Sequence, residues 1–231
     1  MDTSVIIVSA GNSSRMNGTD KQFSEIDGIP VIVHSMLAFE KCKSVLEIIV
    51  STKKENMDII KELAKKYNIT KLAHVTEGGN TRQESVFNGI RKISDHAKMI
   101  AVHDGARPLV KSEHIEKTIS DARIFSGAVL GVPVKDTIKV VSEGLIMDTP
   151  PRSSLYITQT PQIFKRSVYM RGMEFALRNG LDFTDDCQLA EAIGAKICMT
   201  TGDYTNIKIT TPEDIAIAKI LFDERKEKCS E

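Results

Sequence analysis

The residues whose types and spacing could do chemistry fall in loops. The first loop, from Ser9 to Phe23, reads Ser-Ala-Gly-Asn-Ser-Ser-Arg-Met-Asn-Gly-Thr-Asp-Lys-Gln-Phe. Ser9, Ala10, Gly11 and Ser13 are small enough for backbone amides to face a ligand closely, and such amides can cradle phosphate oxygens. Arg15 and Lys21 add two positive charges nearby. Preorganised donors beside cations are what a triphosphate needs as it passes through a pentavalent transition state. By itself the loop also fits an ordinary surface turn with solvated cations. It is not a Walker loop, because Gly-Lys-Ser/Thr is absent, and GxGxxG is absent too.

Further loops carry similar residues. Gly78-Gly79-Asn80-Thr81-Arg82, with Ser85, could be a ligand loop or a plain turn with Asn80 or Thr81 capping a helix. In His103-Asp104-Gly105-Ala106-Arg107-Pro108, Asp104 and Arg107 could hold a ligand or pair with each other to fix a turn. His103 is read as structural. Lys208 follows Asn206-Ile207 and could equally be a surface strand lysine. Thr137 could serve β-propensity alone, and Arg152 could be an exposed cation. Thr184-Asp185-Asp186 is read mainly as a helix cap.

These loops need a scaffold, and the alternation of elements supplies one. Val5-Ile6-Ile7-Val8 is a β-branched run suited to a strand buried on both faces. The pattern then predicts a helix over 30–42, a strand at 48–50, a helix over 54–67, a weaker strand at 72–75 and a helix over 82–93. A strand at 99–102, a helix capped by Ser112 and running toward Phe125, and a strand at 128–132 follow. Strands alternating with helices imply βαβ crossovers and a mostly parallel sheet, with ligands bound beyond the carboxyl ends of the strands. The rhythm breaks between Asp136 and Thr160, where Glu143-Gly144 marks a hairpin turn. That stretch has little to bury alone and is read as an arm for a partner. Helices resume over 165–179 and 185–192, a strand is expected at 196–199, and Thr211-Pro212-Glu213-Asp214 starts a helix toward Arg225.

The 231 residues carry 31 lysines plus arginines against 31 acids, a formal net charge of zero. That argues against a generally basic nucleic-acid binder. No apolar run approaches the roughly 20 residues of a membrane helix, and the start lacks signal-peptide features. Cys42, Cys187, Cys198 and Cys229 form no CxxC pair, so no disulfide framework or structural zinc is expected and a reducing cytoplasm fits.

Six motifs in chain order carry a resemblance over nearly the whole chain, from Val5 to about Ala218. They are Ser9-Ala10-Gly11 with Arg15-Met16 and Lys21-Gln22, then Gly79-Asn80-Thr81-Arg82 with Ser85, then His103 through Pro108. Val132-Pro133-Val134-Lys135-Asp136-Thr137, Gln159-Thr160-Pro161-Gln162, and Asn206-Ile207-Lys208 leading into Thr211-Pro212-Glu213-Asp214 complete the set. The chain resembles the 2-C-methyl-D-erythritol 4-phosphate cytidylyltransferases. The resemblance implies one nucleotidyltransferase domain over 1–231, a Rossmann-like three-layer α/β sandwich with a mostly parallel mixed sheet. It also implies a protruding β-arm for dimerisation at about 135–158.

It further implies transfer of a cytidylyl group from CTP to methylerythritol phosphate, with release of pyrophosphate, in non-mevalonate isoprenoid precursor synthesis. Arg15, Lys21 and Lys208 would stabilise charge at the reacting phosphates. Ser9, Ala10, Gly11, Ser13, Gly79, Asn80, Arg82, Ser85, Asp104 and Gly105 would hold the nucleotide. Asp104, Arg107, Thr137, Arg152 and Thr160 would hold the second substrate, with Thr137 and Arg152 crossing to the other subunit of a homodimer. Mg²⁺ is expected with the triphosphate, and Asp104 is the only metal ligand that can be named. Three positions depart from the usual family residues: Asn80 replaces aspartate, Ser13 a second loop glycine and Ser9 an alanine. The readings set against this one are ribitol 5-phosphate cytidylyltransferase, a sugar-1-phosphate nucleotidylyltransferase, a Rossmann oxidoreductase and a non-catalytic nucleotide-binding module.

Overall fold

The computed structural model describes residues 1–11 and 20–228. Its strands are β1 (Thr3–Val8), β2 (Glu25–Ile26), β3 (Ile29–Pro30), β4 (Val45–Thr52), β5 (Leu72–Glu77) and β6 (Met99–Asp104). Then come β7 (Gly127–Pro133), β8 (Val140–Ser142), β9 (Leu145–Asp148), β10 (Tyr156–Lys165) and β11 (Ile197–Thr201). The helices are α1 (Val31–Glu40), α2 (Met57–Lys66), α3 (Arg82–Ile90), α4 (Ser112–Ile124), α5 (Arg166–Arg178), α6 (Asp186–Ala192) and α7 (Pro212–Lys228).

Seven strands make one sheet in the order β11-β7-β10-β6-β1-β4-β5. Every pairing is parallel except those of β10, which runs antiparallel between β6 and β7. In β1, Val5 and Ile7 face a layer with α1, α2 and α4, while Ile6 faces α3, α5 and α6. That two-sided burial is why the run is apolar without alternation, and it makes the three layers expected. A third, smaller cluster joins Ile26, Val31, Ala106, Leu109, Ile209 and Ala218, seating α7 on the β2–β3 hairpin.

Most expected elements are present with shifted ends. The region 54–67 divides into a 3-10 turn and α2, and β4 begins at Val45, earlier than its apolar centre suggests. Ser112 is not the cap of α4; Lys111 holds that position, and the Ser112 hydroxyl donates instead to the Ala38 carbonyl at 2.9 Å. The larger difference is β10, whose first half falls within the break in rhythm between Asp136 and Thr160. Its stretch Gln159-Thr160-Pro161-Gln162 looks polar and broken by proline, yet all four residues are buried. Burial is tolerated because each polar side chain has a partner. Gln159 donates to the Asp203 carbonyl, Gln162 to Asp185, and Thr160 bonds His103. Pro161 lies where the register between β10 and β7 shifts, a position that tolerates the missing N–H.

The hairpin of β8 and β9 is the expected arm. Glu143 and Gly144 have φ of 52° and 81°, the two positive values of a type I′ turn. Its strands are exposed throughout, with Val140, Val141, Leu145, Ile146 and Met147 between 46% and 69% accessible.

Candidate active site

Parallel strands bring the ends of β1, β4, β5 and β6 to one edge of the sheet. The loops that follow them hold the motif residues, and β10 enters from the same edge.

Asp104 closes β6 and is the centre of the arrangement. Lys208 Nζ stands 2.9 Å and Arg107 Nε 3.4 Å from its Oδ2, and Arg82 Nε stands 3.8 Å from Oδ1. Burial alone would raise the Asp104 pKa. Lys208, Arg82 and Arg107 outweigh burial and hold the carboxyl far below the usual range. Arg82, Arg107 and Lys208 against Asp104 and Asp186, which pairs with Arg82, leave the cluster net positive, suited to phosphate. It is ill suited to a divalent cation. Three cations stand within 3.8 Å of the Asp104 carboxylate, two of them on Oδ2, and repel a further cation, and among the described residues no cluster of three or more metal-ligating side chains forms. Asp104 therefore does not fit the role of metal ligand that the sequence left open for it.

The cations reach Asp104 from distant parts of the chain. Arg107 follows it by a turn and donates Nη1 to the Asn206 carbonyl at 2.8 Å. Asn206 donates Nδ2 to the Thr160 carbonyl at 3.1 Å, and Ile209 N donates to the Ala106 carbonyl at 2.9 Å. These bonds tie the segment bearing Lys208 to the β6 loop. Asn206 is thus a positioning residue that the motif contained but to which the sequence reading gave no role.

Thr160 and His103 form a buried pair beneath Asp104. Asp104 N donates to Thr160 Oγ1 at 3.1 Å, and Thr160 Oγ1 lies 3.0 Å from His103 Nδ1. Burial lowers the His103 pKa to about 3, so its ring is neutral. His103 Nε2 lies 3.3 Å from the Arg107 carbonyl, which can only accept, so Nε2 carries the ring proton. Nδ1 must then accept the Thr160 proton. Thr160 therefore supports Asp104 from below in this arrangement, and its proton is not directed at a ligand. The structural reading of His103 agrees with these bonds.

The loop from Gly78 to Arg82 lies against β1's continuation. A Cβ on Gly78 would fall 2.2 Å from Ala10 Cβ, and one on Gly79 would fall 2.2 Å from Glu84 Cβ. Gly79 N donates to Ser85 Oγ (3.0 Å), which donates on to the Thr81 carbonyl (2.9 Å). Ser85 thus shapes the loop. Thr81 caps α3 by accepting from Glu84 N, and Glu84 accepts from Asn80 N at 2.7 Å. These bonds leave the Asn80 side chain exposed. Ser9 is 2% accessible, and both its amide and its hydroxyl go to the Ser51 carbonyl. Its side chain fastens β1 to β4 and is not turned to a ligand.

Gly105 N donates to the Val8 carbonyl, and a Cβ there would meet Gln22 Oε1 at 2.9 Å. Gln22 is buried, which seats half-exposed Lys21 beside this edge. Gly11 is exposed at the end of the described part of the loop. Arg15 and Ser13 lie outside the described residues. Thr137 and Arg152 are exposed on the arm, where Arg152 donates to the Lys135 carbonyl at 2.8 Å. They are not part of the cluster around Asp104.

An open α/β sheet that gathers Arg82, Arg107 and Lys208 onto a glycine-rich edge defines a class: proteins that bind phosphorylated nucleotides at the carboxyl ends of parallel strands. Comparison with known proteins narrows it. The family model for 2-C-methyl-D-erythritol 4-phosphate cytidylyltransferase matches residues 3–224. A protein of that description from Caldanaerobacter subterraneus subsp. tengcongensis is 43% identical over 96% of this chain and 99% of its own. One from Clostridioides difficile is 40% identical over 96% of this chain and 94% of its own. The crystal structure of 4-diphosphocytidyl-2C-methyl-D-erythritol synthase from Anaerococcus prevotii superposes with a TM-score of 0.86 at 31% identity, covering 96% of each chain. The chain belongs to the 2-C-methyl-D-erythritol 4-phosphate cytidylyltransferase family.

Proposed function

We infer that this chain is a nucleotidyltransferase that moves the cytidylyl group of CTP onto 2-C-methyl-D-erythritol 4-phosphate. The products are 4-diphosphocytidyl-2-C-methyl-D-erythritol and pyrophosphate, and the step serves isoprenoid precursor synthesis. The observation that carries this is the convergence of Lys208, Arg107 and Arg82 on Asp104, in a chain 43% identical over nearly its full length to a relative of that description. A phosphate oxygen of the acceptor forms a bond to the α-phosphorus, and the bond from that phosphorus to the bridging oxygen breaks. Pyrophosphate leaves with the electron pair, and nothing is oxidised or reduced. The acceptor phosphate is already anionic at neutral pH, so no general base is needed. Positioning and charge stabilisation do the work.

Within that reading, Arg15, Lys21 and Lys208 are assigned to charge on the reacting phosphates. Gly79, Asn80 and Ser85 are assigned to the cytosine edge, and Asp104 and Arg107 to the sugar hydroxyls and the acceptor. Mg²⁺ is proposed to arrive on the triphosphate, held by its oxygens and not by Asp104. The whole chain is read as one domain with an arm at about 135–158. The apolar side chains exposed on that arm favour a homodimer in which Thr137 and Arg152 complete the partner's site. The three cysteines described are free thiols, which suits a reducing cytoplasm.

The test is pyrophosphate release by the purified protein with Mg²⁺, crossing CTP, UTP, ATP and GTP with methylerythritol phosphate and ribitol phosphate. Release confined to CTP with methylerythritol phosphate is expected. Release with ribitol phosphate instead would overturn the acceptor assignment. No release from folded protein would overturn cytidylyl transfer.

A further inference from the structure

A buried acid behind the site has no place in the chemistry above. Asp186 opens α6 and is 3% accessible. Capping does not explain it, because the neighbouring Asp185 already accepts from Cys187 N at 2.9 Å. Nor does docking of the backbone. The segment before α6 is fastened to the first turn of α3 by other groups. Gln83 donates to the Leu181 carbonyl and accepts from Phe183 N, and Thr81 donates to Asp182. An ionised carboxylate is costly to bury without partners of its own.

Asp186 has two partners. Tyr169 of α5, 1% accessible and packed on Phe164, donates its hydroxyl to Asp186 Oδ1 at 2.5 Å. Burial and Asp186 both raise the Tyr169 pKa well above its ordinary value, so the phenol stays a donor. Arg82 Nη1 meets the other oxygen, Oδ2, at 2.5 Å. The same guanidinium keeps Nε 3.8 Å from Asp104 Oδ1, beyond hydrogen-bonding range. Lys208 and Arg107 both approach the other Asp104 oxygen, Oδ2.

We propose that Asp186, fixed by Tyr169, is a positioning residue that draws Arg82 back from Asp104 and so keeps Asp104 Oδ1 open for a substrate hydroxyl. Without the Asp186 charge, the strongest remaining anion near Arg82 is Asp104. Arg82 then closes on it, in the two-pronged manner guanidinium favours, and occupies the oxygen the substrate needs. This rests on the cytidylyl-transfer reading of the site, and activity of the wild-type protein in the same assay separates failure of one from failure of the other.

The experiment measures kcat and KM for CTP and for methylerythritol phosphate in wild type, D186N, D186E, Y169F, R82M and R82M/D186N, with thermal midpoints alongside. D186N is expected to raise KM for one substrate about tenfold with kcat within about threefold of wild type, and D186E to restore most of the loss. In the R82M background, D186N is expected to change kcat/KM by less than about twofold, because the residue acts through Arg82. Equal losses from D186N in both backgrounds, or a fall in kcat with both KM values unchanged, would overturn the proposal. Should D186N not fold, Y169F decides. A KM increase of about two- to fivefold at near-normal kcat supports the proposal, and unchanged KM values refute it.

Discussion

Replacing Asp104 by Asn removes the carboxylate that three cations share. Its consequence can be followed contact by contact. Lys208 stands 2.9 Å away but is 40% accessible, so its pairing is screened and is worth about 1 kcal/mol at most. Arg82 keeps its closer partner, Asp186, at 2.5 Å. Arg107 loses most, since its side chain is only 12% accessible and retains just the hydrogen bond to the Asn206 carbonyl. Leaving one member of a buried pair behind costs about 3–5 kcal/mol, and that bond places D104N toward the low end. At roughly 2–4 °C per kcal/mol for a chain of this length, D104N should melt roughly 6–15 °C below wild type. Catalysis should suffer more, with kcat/KM down by about a hundredfold, because an amide does not balance the cations that must be poised around phosphate. Calorimetry at pH 7, with pyrophosphate release assayed well below both midpoints, measures the two effects separately. The acid limb gives an internal check. The Asp104 pKa is depressed on folding, so its contribution is complete above about pH 3.9, the unfolded value, and fades as pH falls toward the folded one. That part of the acid destabilisation should be missing in D104N. A variant that melts within about 1 °C of wild type and keeps its kcat/KM would refute the shared-carboxylate account.

His103 gives a second pH signature of opposite origin. Burial lowers its folded pKa to about 3, so between about pH 6.5 and that value only the unfolded chain binds the proton. Stability should fall across that window by about 1.4 kcal/mol per pH unit from this group, and urea midpoints should show a shallower slope in H103Q. Replacing exposed Lys208 by Met should lower kcat by about 10²–10³ while shifting stability by no more than about 1 kcal/mol, read by turnover and melting together. On the homodimer proposed above, Ile146→Asp on the arm should sediment as a monomer where the unchanged protein sediments as a dimer, and an unchanged protein that sediments as a monomer overturns that proposal.

The scaffold was legible in the sequence where burial was apolar. Val5 through Val8, Ile48 through Val50 and Met99 through Val102 announce strands because both their faces meet helices. β10 escaped because its middle is polar. Gln159, Thr160 and Gln162 are buried on the strength of hydrogen bonds to Asp203, His103 and Asp185, partners more than 20 positions away that no local pattern displays. The site divided in the same way. Residue types and resemblance located Asp104, Arg107, Lys208 and the Gly79 loop. They did not reveal that Ser9 bonds β4, that Ser85 folds its own loop, or that Asp186 forms an ion pair with Arg82 while Asp185 caps α6. One reading explained both aspartates by helix capping, since either could serve equally well on paper. Nothing local separates the two, because the partners of Asp186, Tyr169 and Arg82, lie 17 and 104 positions away.

The small cluster of Ile26, Val31, Ala106, Leu109, Ile209 and Ala218 makes the site depend on packing remote from it. It joins the segment after Lys21, the turn bearing Arg107 and the stretch after Lys208, and its last member sits on α7. With α7 undocked, the three cation-bearing segments lack their common fastening. Ala218→Asp, which loosens α7 from that cluster, should keep the far-ultraviolet circular dichroism of the sheet and helices yet lose most pyrophosphate release. Turnover thus depends on a helix that carries none of the groups assigned to the reaction.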